Sequence, residues 1–430
     1  MSTAMNTELT VAVWPGLTPR LLRAEHDTES LAHYLSSGGY SALADAEVLL
    51  EETRRAGVLG RGGAAFPLAV KLTTVRAASQ RGRDTVLVAN GEEGEPASVK
   101  DRWLLRHRPH LVLDGLRLAA TIIGARHAHV YVSDRTSADT VRAALSDVTP
   151  DTLDGVTVSV CTVEPGYVAG EETAAVRAIN GGPPKPTDKP PRPFEEGVGG
   201  LPTVVSNVET LANLPHVHQH GADSYRSAGI EAAPGTFLAT VTGGARPPGL
   251  YELPFGASAA ELIALHGIAA DQVRGALMGG YFAGLLDRRI LDTAMDHVSL
   301  RAVGSGLGCG AVSVITDECP VAVGASVLEY YDRENADQCG SCFNGTAAMA
   351  AAASALRDGV ADSDDLARLR RWSEVLRGRG ACATLDAACN IAASMLAMFP
   401  EEVASHLANR CAGCERGAYA ARRPFEVEAL

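Results

Sequence analysis

The sequence predicts an α/β protein built on a parallel sheet and extended by a small β unit and a helical bundle. Three observations lead there. Short apolar β-type runs at 85–89, 129–132 and 156–160 alternate with amphipathic helical stretches, the pattern of consecutive βα units. Three glycines within four residues, Gly60, Gly62 and Gly63, stand just ahead of a helical run that carries Lys71. From 321 to 408 the pattern turns Ala- and Leu-rich and helical, with short connections.

In chain order, 1–40 reads as an irregular lead with one helix near 31–35, because Thr28, Glu29 and Ser30 offer capping groups before apolar positions at helical spacing. An amphipathic helix over 43–56, closed by Gly57, delivers the chain into the glycine loop. A loop stripped of side chains lets backbone N–H groups approach an anion, and a helix starting at Pro67 adds its positive end. The spacing fits neither G-x-G-x-x-G nor G-x-x-x-x-G-K-[ST], so phosphate binding and a plain tight turn are equally open on spacing alone.

The run 85–89 empties into Asn90-Gly91-Glu92-Glu93-Gly94-Glu95-Pro96. Polar groups at the carboxyl end of a strand in an open sheet are placed to touch a ligand, although a solvated acidic turn has the same composition. A helical stretch over 101–123, a strand, a helix over 137–145 and another strand continue the alternation. They lead to Tyr167, Gly170, Glu171 and Glu172 at the next strand-to-helix junction. A Pro-rich segment at 181–193 carries Lys185, Lys189 and Arg192, and 202–211 places small polar groups before a helix.

Composition shifts near 232. Runs at 236–242 and 250–253 read as paired strands around Gly243-Gly244 and Pro247-Pro248-Gly249, followed by a helix over 259–266 and strands at 275–278 and 311–315. No chemistry is visible in this unit, and the glycine-rich 304–310 reads as a structural lead into its last strand. Four helices, at 325–334, 346–357, 363–376 and 386–398, make up the bundle. Nine cysteines in a chain of 430 residues point to metal, cluster or burial rather than a disulfide framework. Cys161, Cys309 and Cys319 read as buried small apolar residues.

With 46% hydrophobic and 21% charged residues, the composition is that of a globular chain. A net charge of −13 repels nucleic acid. No apolar run of about 18 residues and no secretory signal appear, so no membrane insertion and a cytoplasmic location are expected.

The ordered motifs G-R-G-G-A-x-F-P-x-x-x-K, N-x-x-E-x-E-P with K-D-R, Y-x-x-G-E-E-T-A, and K-P-P-x-P with P-T-x-V-x-N-V-E-T-L span Gly60 to Leu211. They resemble the flavin subunit (51 kDa or F) of respiratory complex I, a family also found in NAD-reducing hydrogenases and formate dehydrogenases. The resemblance implies a Rossmann-like domain over 1–231 that binds FMN and a nicotinamide nucleotide, a β-grasp (ubiquitin-like) domain over 232–318, a helical iron–sulfur bundle over 319–410, and a Cys-containing tail over 411–430. Gly60, Gly62, Gly63 and Lys71 would hold FMN phosphate and ribityl. Asn90, Glu92, Tyr167, Gly170, Glu171, Val205, Ser206, Asn207 and Thr210 would line the rest of the flavin pocket. Glu95 and Glu172 would orient the nicotinamide, with Phe66 stacking there.

The family's cluster motif is C-x-x-C-x-x-C with a distant fourth cysteine. Here Cys339, Cys342 and the distant Cys382 are present and the third position is Gly345. Three thiolates with an open iron site, a replacement ligand, or no cluster are the alternatives, with Cys389 and the tail pair Cys411 and Cys414 as candidate replacements. Two aromatics that flank the adenine in the family are Thr74 and Arg192 here.

The implied activity is an NAD(P)H:acceptor oxidoreductase. Electrons would pass from NADH or NADPH through FMN and a [4Fe–4S] cluster to a ferredoxin-like or [2Fe–2S] partner within a hetero-oligomer. A flavin relay that oxidises no nucleotide, and a structural paralogue without cofactors, remain the other expectations.

Overall fold

The computed structural model describes residues 8–23, 25, 27–415 and 417–428. The chain opens on strand β1 (Thr10–Val13), helix α1 (Leu31–Ser36) and helix α2 (Ala46–Ala56). Asp45 caps α2 by accepting the Glu47 N–H, and Gly57 ends it at φ +69°, a conformation open to glycine at little steric cost. Helix α3 (Leu68–Ser79) follows the glycine loop. The βα alternation then runs β2 (Val86–Asn90), α4 (Lys100–His107), α5 (Pro109–Ile123), β3 (His127–Val132), α6 (Arg135–Asp147), β4 (Thr157–Thr162), α7 (Glu172–Ile179), β5 (Thr203–Asn207), α8 (Val208–Ala212) and α9 (Leu214–Arg226). The expected single helix over 101–123 is two, since Pro109 cannot donate the helical N–H and starts α5 afresh.

All pairings in the first sheet are parallel, in the order β4-β3-β2-β5. Helix α5 is buried along almost its whole length, including Asp114 and Arg117, which pair with each other at 2.7 Å inside the core. It approaches α8 so closely that a Cβ on Gly115 would lie 2.1 Å from the Leu211 carbonyl oxygen.

A two-residue ribbon, β6 (Gly229–Ile230) with β7 (Ala233–Pro234), leads to β8 (Thr236–Gly243), β9 (Gly249–Pro254), α10 (Ala259–Leu265), β10 (Gly275–Met278), β11 (Leu285–Asp287), α11 (His297–Ala302) and β12 (Ala311–Ile315). The second sheet is ordered β1-β9-β8-β12-β10-β11. Its outer strand corrects the reading of 1–40 as irregular, because β1 pairs in parallel with β9, Thr10 opposite Gly249 and Val13 opposite Glu252. Four residues with little amphipathic pattern gave no local signal of this. Glu252 is buried, and its carboxylate accepts the backbone N–H groups of Arg20, Leu21 and Leu22 and the Thr236 hydroxyl, which fixes the segment after β1.

The bundle comprises α12 (Pro320–Glu334), α13 (Gly340–Arg357), α14 (Ser363–Val375), α15 (Thr384–Met398) and a fifth, unexpected helix, α16 (Pro400–Leu407). Asp362 and Asp365 form a reciprocal capping box at the start of α14. No helix among the described residues is long and apolar enough to cross a membrane.

Candidate cofactor cleft and cysteine groups

The order β4-β3-β2-β5 places a topological switch point between β2 and β5, where an open α/β sheet parts its loops to make a crevice. Asn90 and Asn207, the last residues of those strands, stand opposite each other there. A cleft of about 700 Å³ opens above them, within the range of cofactor sites. The glycine loop, the turn after β2, the 167–172 junction and the end of β5 line it, together with Phe282, Gly308 and Cys309 of the second sheet's unit and Cys382 of the bundle.

The glycine loop is pinned at its base. Gly60 donates its N–H to the Phe66 carbonyl at 3.0 Å, and Arg61 donates its backbone N–H to the Thr210 hydroxyl at 2.8 Å. The Arg61 guanidinium runs inward to the Tyr225 hydroxyl and the Thr236 carbonyl. Gly63 has φ +111° and open space where a side chain would project, while a Cβ on Gly62 would press on Asn207 at 3.3 Å. Lys71, one turn into α3, donates to the Val205 carbonyl at 2.9 Å, and burial lowers its pKa. A desolvated ammonium beside a bare loop is a natural seat for a phosphate.

On the opposite wall, Asn90 donates its side-chain amide to the Gly170 carbonyl at 2.8 Å. Asn207 donates to Asp101 at 2.6 Å, and its amide oxygen accepts from the Glu209 N–H. Behind it lies a buried group that the sequence reading passed over: Lys100 within 2.7 Å of Asp101 and 3.0 Å of Glu209. Burial alone would lower the Lys100 pKa, but the two carboxylates override it and raise it, so Asn207 is held by a fixed ammonium and its partners. The K-D-R motif was the available signal.

Glu92 is buried and accepts the Gly166 N–H at 3.4 Å, leaving Oε2 with no partner among the described residues. Burial pushes its carboxyl up to about 7. Glu95, pushed up to about 8 by burial, accepts the backbone N–H of Tyr281. Tyr167 is hydrogen-bonded to Tyr331 at 3.0 Å. Glu171 caps α7 by accepting the Thr173 and Ala174 N–H groups and receives Lys189 at 2.6 Å, while Glu172 lies 4.0 Å from Lys71 and 3.7 Å from Lys189. Val205, Ser206 and Thr210 also line the cleft.

At the mouth stands Phe66, its ring centre 6.0 Å from the Lys71 ammonium. Thr74 and Arg192 are in the wall as well, and so are two half-exposed rings, Phe194 and Phe282. Phe194 stands two residues beyond the ring position that Arg192 fills, so the motif comparison missed it. Gly308 and Cys309 also belong to the cleft wall, where Cys309 is partly exposed rather than the buried apolar residue expected. A Cβ on Gly308 would lie 2.3 Å from the Gly279 carbonyl, so this stretch does pack backbone on backbone.

The nine cysteines are all free. Cys339, Cys342 and Cys382 come together around the start of α13. Cys339 Sγ accepts the Ala381 N–H at 3.4 Å, and Cys342 is pushed up to about 12 by burial, with Cys382 and Cys339 nearby. Where the motif's third cysteine would stand, a Cβ on Gly345 would meet Leu376 at 2.8 Å and Leu385 at 3.2 Å, so leucine fills that place. Cys389 is buried with its thiol directed to the Trp372 carbonyl. The tail pair is elsewhere: in the structure Cys411 and Cys414 group with Cys319 and His406 rather than with Cys339, Cys342 and Cys382. The tail folds back, as a flexible segment can, but onto the start of α12 rather than α13.

A parallel sheet whose switch point opens onto a glycine cradle, with one member of a three-cysteine group, Cys382, in the wall of the same cleft, defines a class: redox proteins that bind a phosphate-bearing cofactor. Residues 53–216 match the Nuo51 FMN-binding domain and residues 322–406 the NADH-ubiquinone oxidoreductase-F iron-sulfur binding region. The F 2 subunit of the NADH-quinone oxidoreductase of Rhizobium meliloti is 32% identical over 405 residues, covering 89% of this chain and 96% of that protein. The F subunit of the Streptomyces coelicolor enzyme is 30% identical over 410 residues, 91% of this chain and 90% of that one. The crystal structure of an NAD+-reducing [NiFe]-hydrogenase in the H2-reduced state superposes with a TM-score of 0.79 at 28% identity, over 89% of this chain and 67% of that one. The chain belongs to the family of NADH-quinone oxidoreductase F subunits.

Proposed function

We propose that this chain oxidises a reduced nicotinamide nucleotide at an FMN held in the cleft and hands the electrons on through an iron–sulfur centre. The observation that carries the reading is the position of Cys382, which lines the cleft and also belongs to the cysteine group. When bound, FMN supplies exchange between two-electron and one-electron chemistry, and a cluster supplies a one-electron relay.

The residues present suit FMN. The bare loop and Lys71 offer N–H groups and a positive charge to the phosphate, and the unpartnered Oε2 of Glu92 offers a hydrogen bond to a polar edge of the ring. Asn90, Asn207 and Ser206 present further polar groups at the strand ends, and Tyr167, Gly170, Glu171 and Val205 close the wall. Phe66 and Phe194 present ring faces at the mouth, where a nucleotide base would stack, and Glu95 and Glu172 orient the nicotinamide end. Cys339, Cys342 and Cys382 are three thiolate donors for one cluster, with one iron left to a non-cysteine ligand. The expected acceptor is a ferredoxin-like [2Fe–2S] protein in a multi-subunit assembly.

Anaerobic mixing with NADH, and separately NADPH, tests the proposal. Loss of the flavin absorption within the mixing experiment is expected with at least one of them. A protein that retains FMN yet shows no bleaching with either would leave only the electron-relay reading.

A further inference from the structure

We propose that Cys319, His406, Cys411 and Cys414 bind a single zinc ion, a structural site separate from the flavin and the iron–sulfur centre. Their donor atoms all lie within 4.8 Å of one another. For a tetrahedral ion with Zn–S near 2.3 Å and Zn–N near 2.0–2.1 Å, simple trigonometry puts sulfur pairs about 3.8 Å apart and sulfur–nitrogen pairs about 3.6 Å apart. Cys319 Sγ lies 3.8 Å from Cys411 Sγ and 3.2 Å from His406 Nε2, and Cys414 Sγ lies 3.7 Å from that same nitrogen. Thiolates on a cubane bind different irons and so stand further apart than donors that share one ion. Three sulfurs and one imidazole in a closed tetrahedron suit a structural zinc.

The surroundings are those of built ligands. Cys319 is buried and stands directly before the first turn of α12. His406 is buried and turns Nε2 toward the Cys319 and Cys414 sulfurs, which leaves Nδ1 for an outer hydrogen bond of the kind that orients metal-bound imidazoles. Cys411 and Cys414 form a C-x-x-C turn, closed by the Cys414 N–H on the Cys411 carbonyl at 3.1 Å, with Gly413 only 3.6 Å, at its would-be Cβ, from Cys319. Three of the four donors lie outside the stretch that matches the family's iron–sulfur region, and His406 is its last residue.

The ion would fasten the tail to the bundle. Beyond it, Tyr419 receives a hydrogen bond from Ser326, Pro424 receives Tyr281, and Val427 donates to the Pro96 carbonyl at 3.0 Å while accepting from Arg102. The zinc therefore anchors the strap that ends beneath the acidic turn of the cleft.

Metal analysis of the purified full-length protein is the test. One zinc per chain is expected, with an X-ray absorption shell of three sulfurs and one nitrogen, and it should survive in Cys339→Ser/Cys342→Ser while disappearing from Cys411→Ser/Cys414→Ser. Should the second variant fail to fold, the metal content and absorption shell of the unaltered protein decide the matter alone. Zinc below a tenth per chain, mononuclear iron in its place, or a Cys319–Cys411 or Cys411–Cys414 disulfide found by alkylation under non-reducing conditions would overturn the proposal. So would zinc lost from the Cys339→Ser/Cys342→Ser protein.

Discussion

The carboxylate of Glu95 accepts the backbone N–H of Tyr281 at 2.9 Å, joining the acidic turn after β2 to the turn after β10. Glycine at 280 permits the approach, because a Cβ there would meet the Glu95 carboxyl at 2.4 Å. The contact is partly buried, and desolvation makes ionising the acid costly.

Glu95 thus makes stability depend on pH. Its carboxyl is raised to about 8 by burial, against 4.5 for the free group. The folded state keeps a proton that the unfolded chain has released, so stability is greatest below the free value and is lost as pH rises toward 8. Glu92, raised to about 7, adds in the same direction. Melting temperature should fall by a few degrees between pH 5.5 and 8.5, and Glu95→Gln should flatten that slope; an identical slope in the variant would refute the assignment.

Lys71→Ala should release the flavin. A hydrogen bond to a charged group contributes about 1.5–3 kcal/mol, so FMN affinity should drop roughly tenfold to a hundredfold. Fluorescence titration of the apoprotein measures it. Unchanged affinity would mean that the phosphate is seated elsewhere.

Phe66→Ala and Phe194→Ala should act on the nucleotide rather than the flavin. Stacking contributes about 0.5–1.5 kcal/mol per ring pair, so KM for the nucleotide should rise by roughly two- to tenfold with flavin content intact. Arg192→Phe should lower KM for NADH. Steady-state kinetics with a soluble acceptor give both numbers.

Cys382→Ser should remove the broad iron–sulfur absorption and leave the flavin spectrum. Gly345→Cys requires the ends of the Leu376 and Leu385 side chains to shift, since they stand 2.8 and 3.2 Å from the added Cβ. It should lower the melting temperature, as overpacking costs about 1–3 kcal/mol. Gly345→Cys/Leu376→Ala should relieve the clash, and a melting temperature no higher than that of Gly345→Cys would show that Leu376 is not its source.

The parallel sheet was legible because buried strands such as 86–89 are continuous apolar runs between helices. The glycine loop and Lys71 were legible as a cradle only in company with Asn90 and Asn207, which converge through strand order, a property that no local window contains. Phe282, Cys309 and Cys382 reach the same cleft from other units and could not be placed by spacing. The tail cysteines misled for a related reason. A tail able to fold back could reach the cluster motif, but nothing local showed that its partner would be Cys319, 92 residues before Cys411. Helix α16 escaped notice because eight residues with two adjacent glutamates make a weak periodic signal.

Strand β1 has a consequence for how the molecule is made. Thr10–Val13 is synthesised before the entire nucleotide-binding unit, and its partner Gly249–Pro254 only after it. That unit must fold within a loop whose two ends close last, a long-range pairing that slows completion of the second sheet. Until then the outer edge of Gly249–Pro254 is bare, and a cut or fusion that disables the segment up to Trp14 would keep it so, offering a free strand edge to a neighbouring chain.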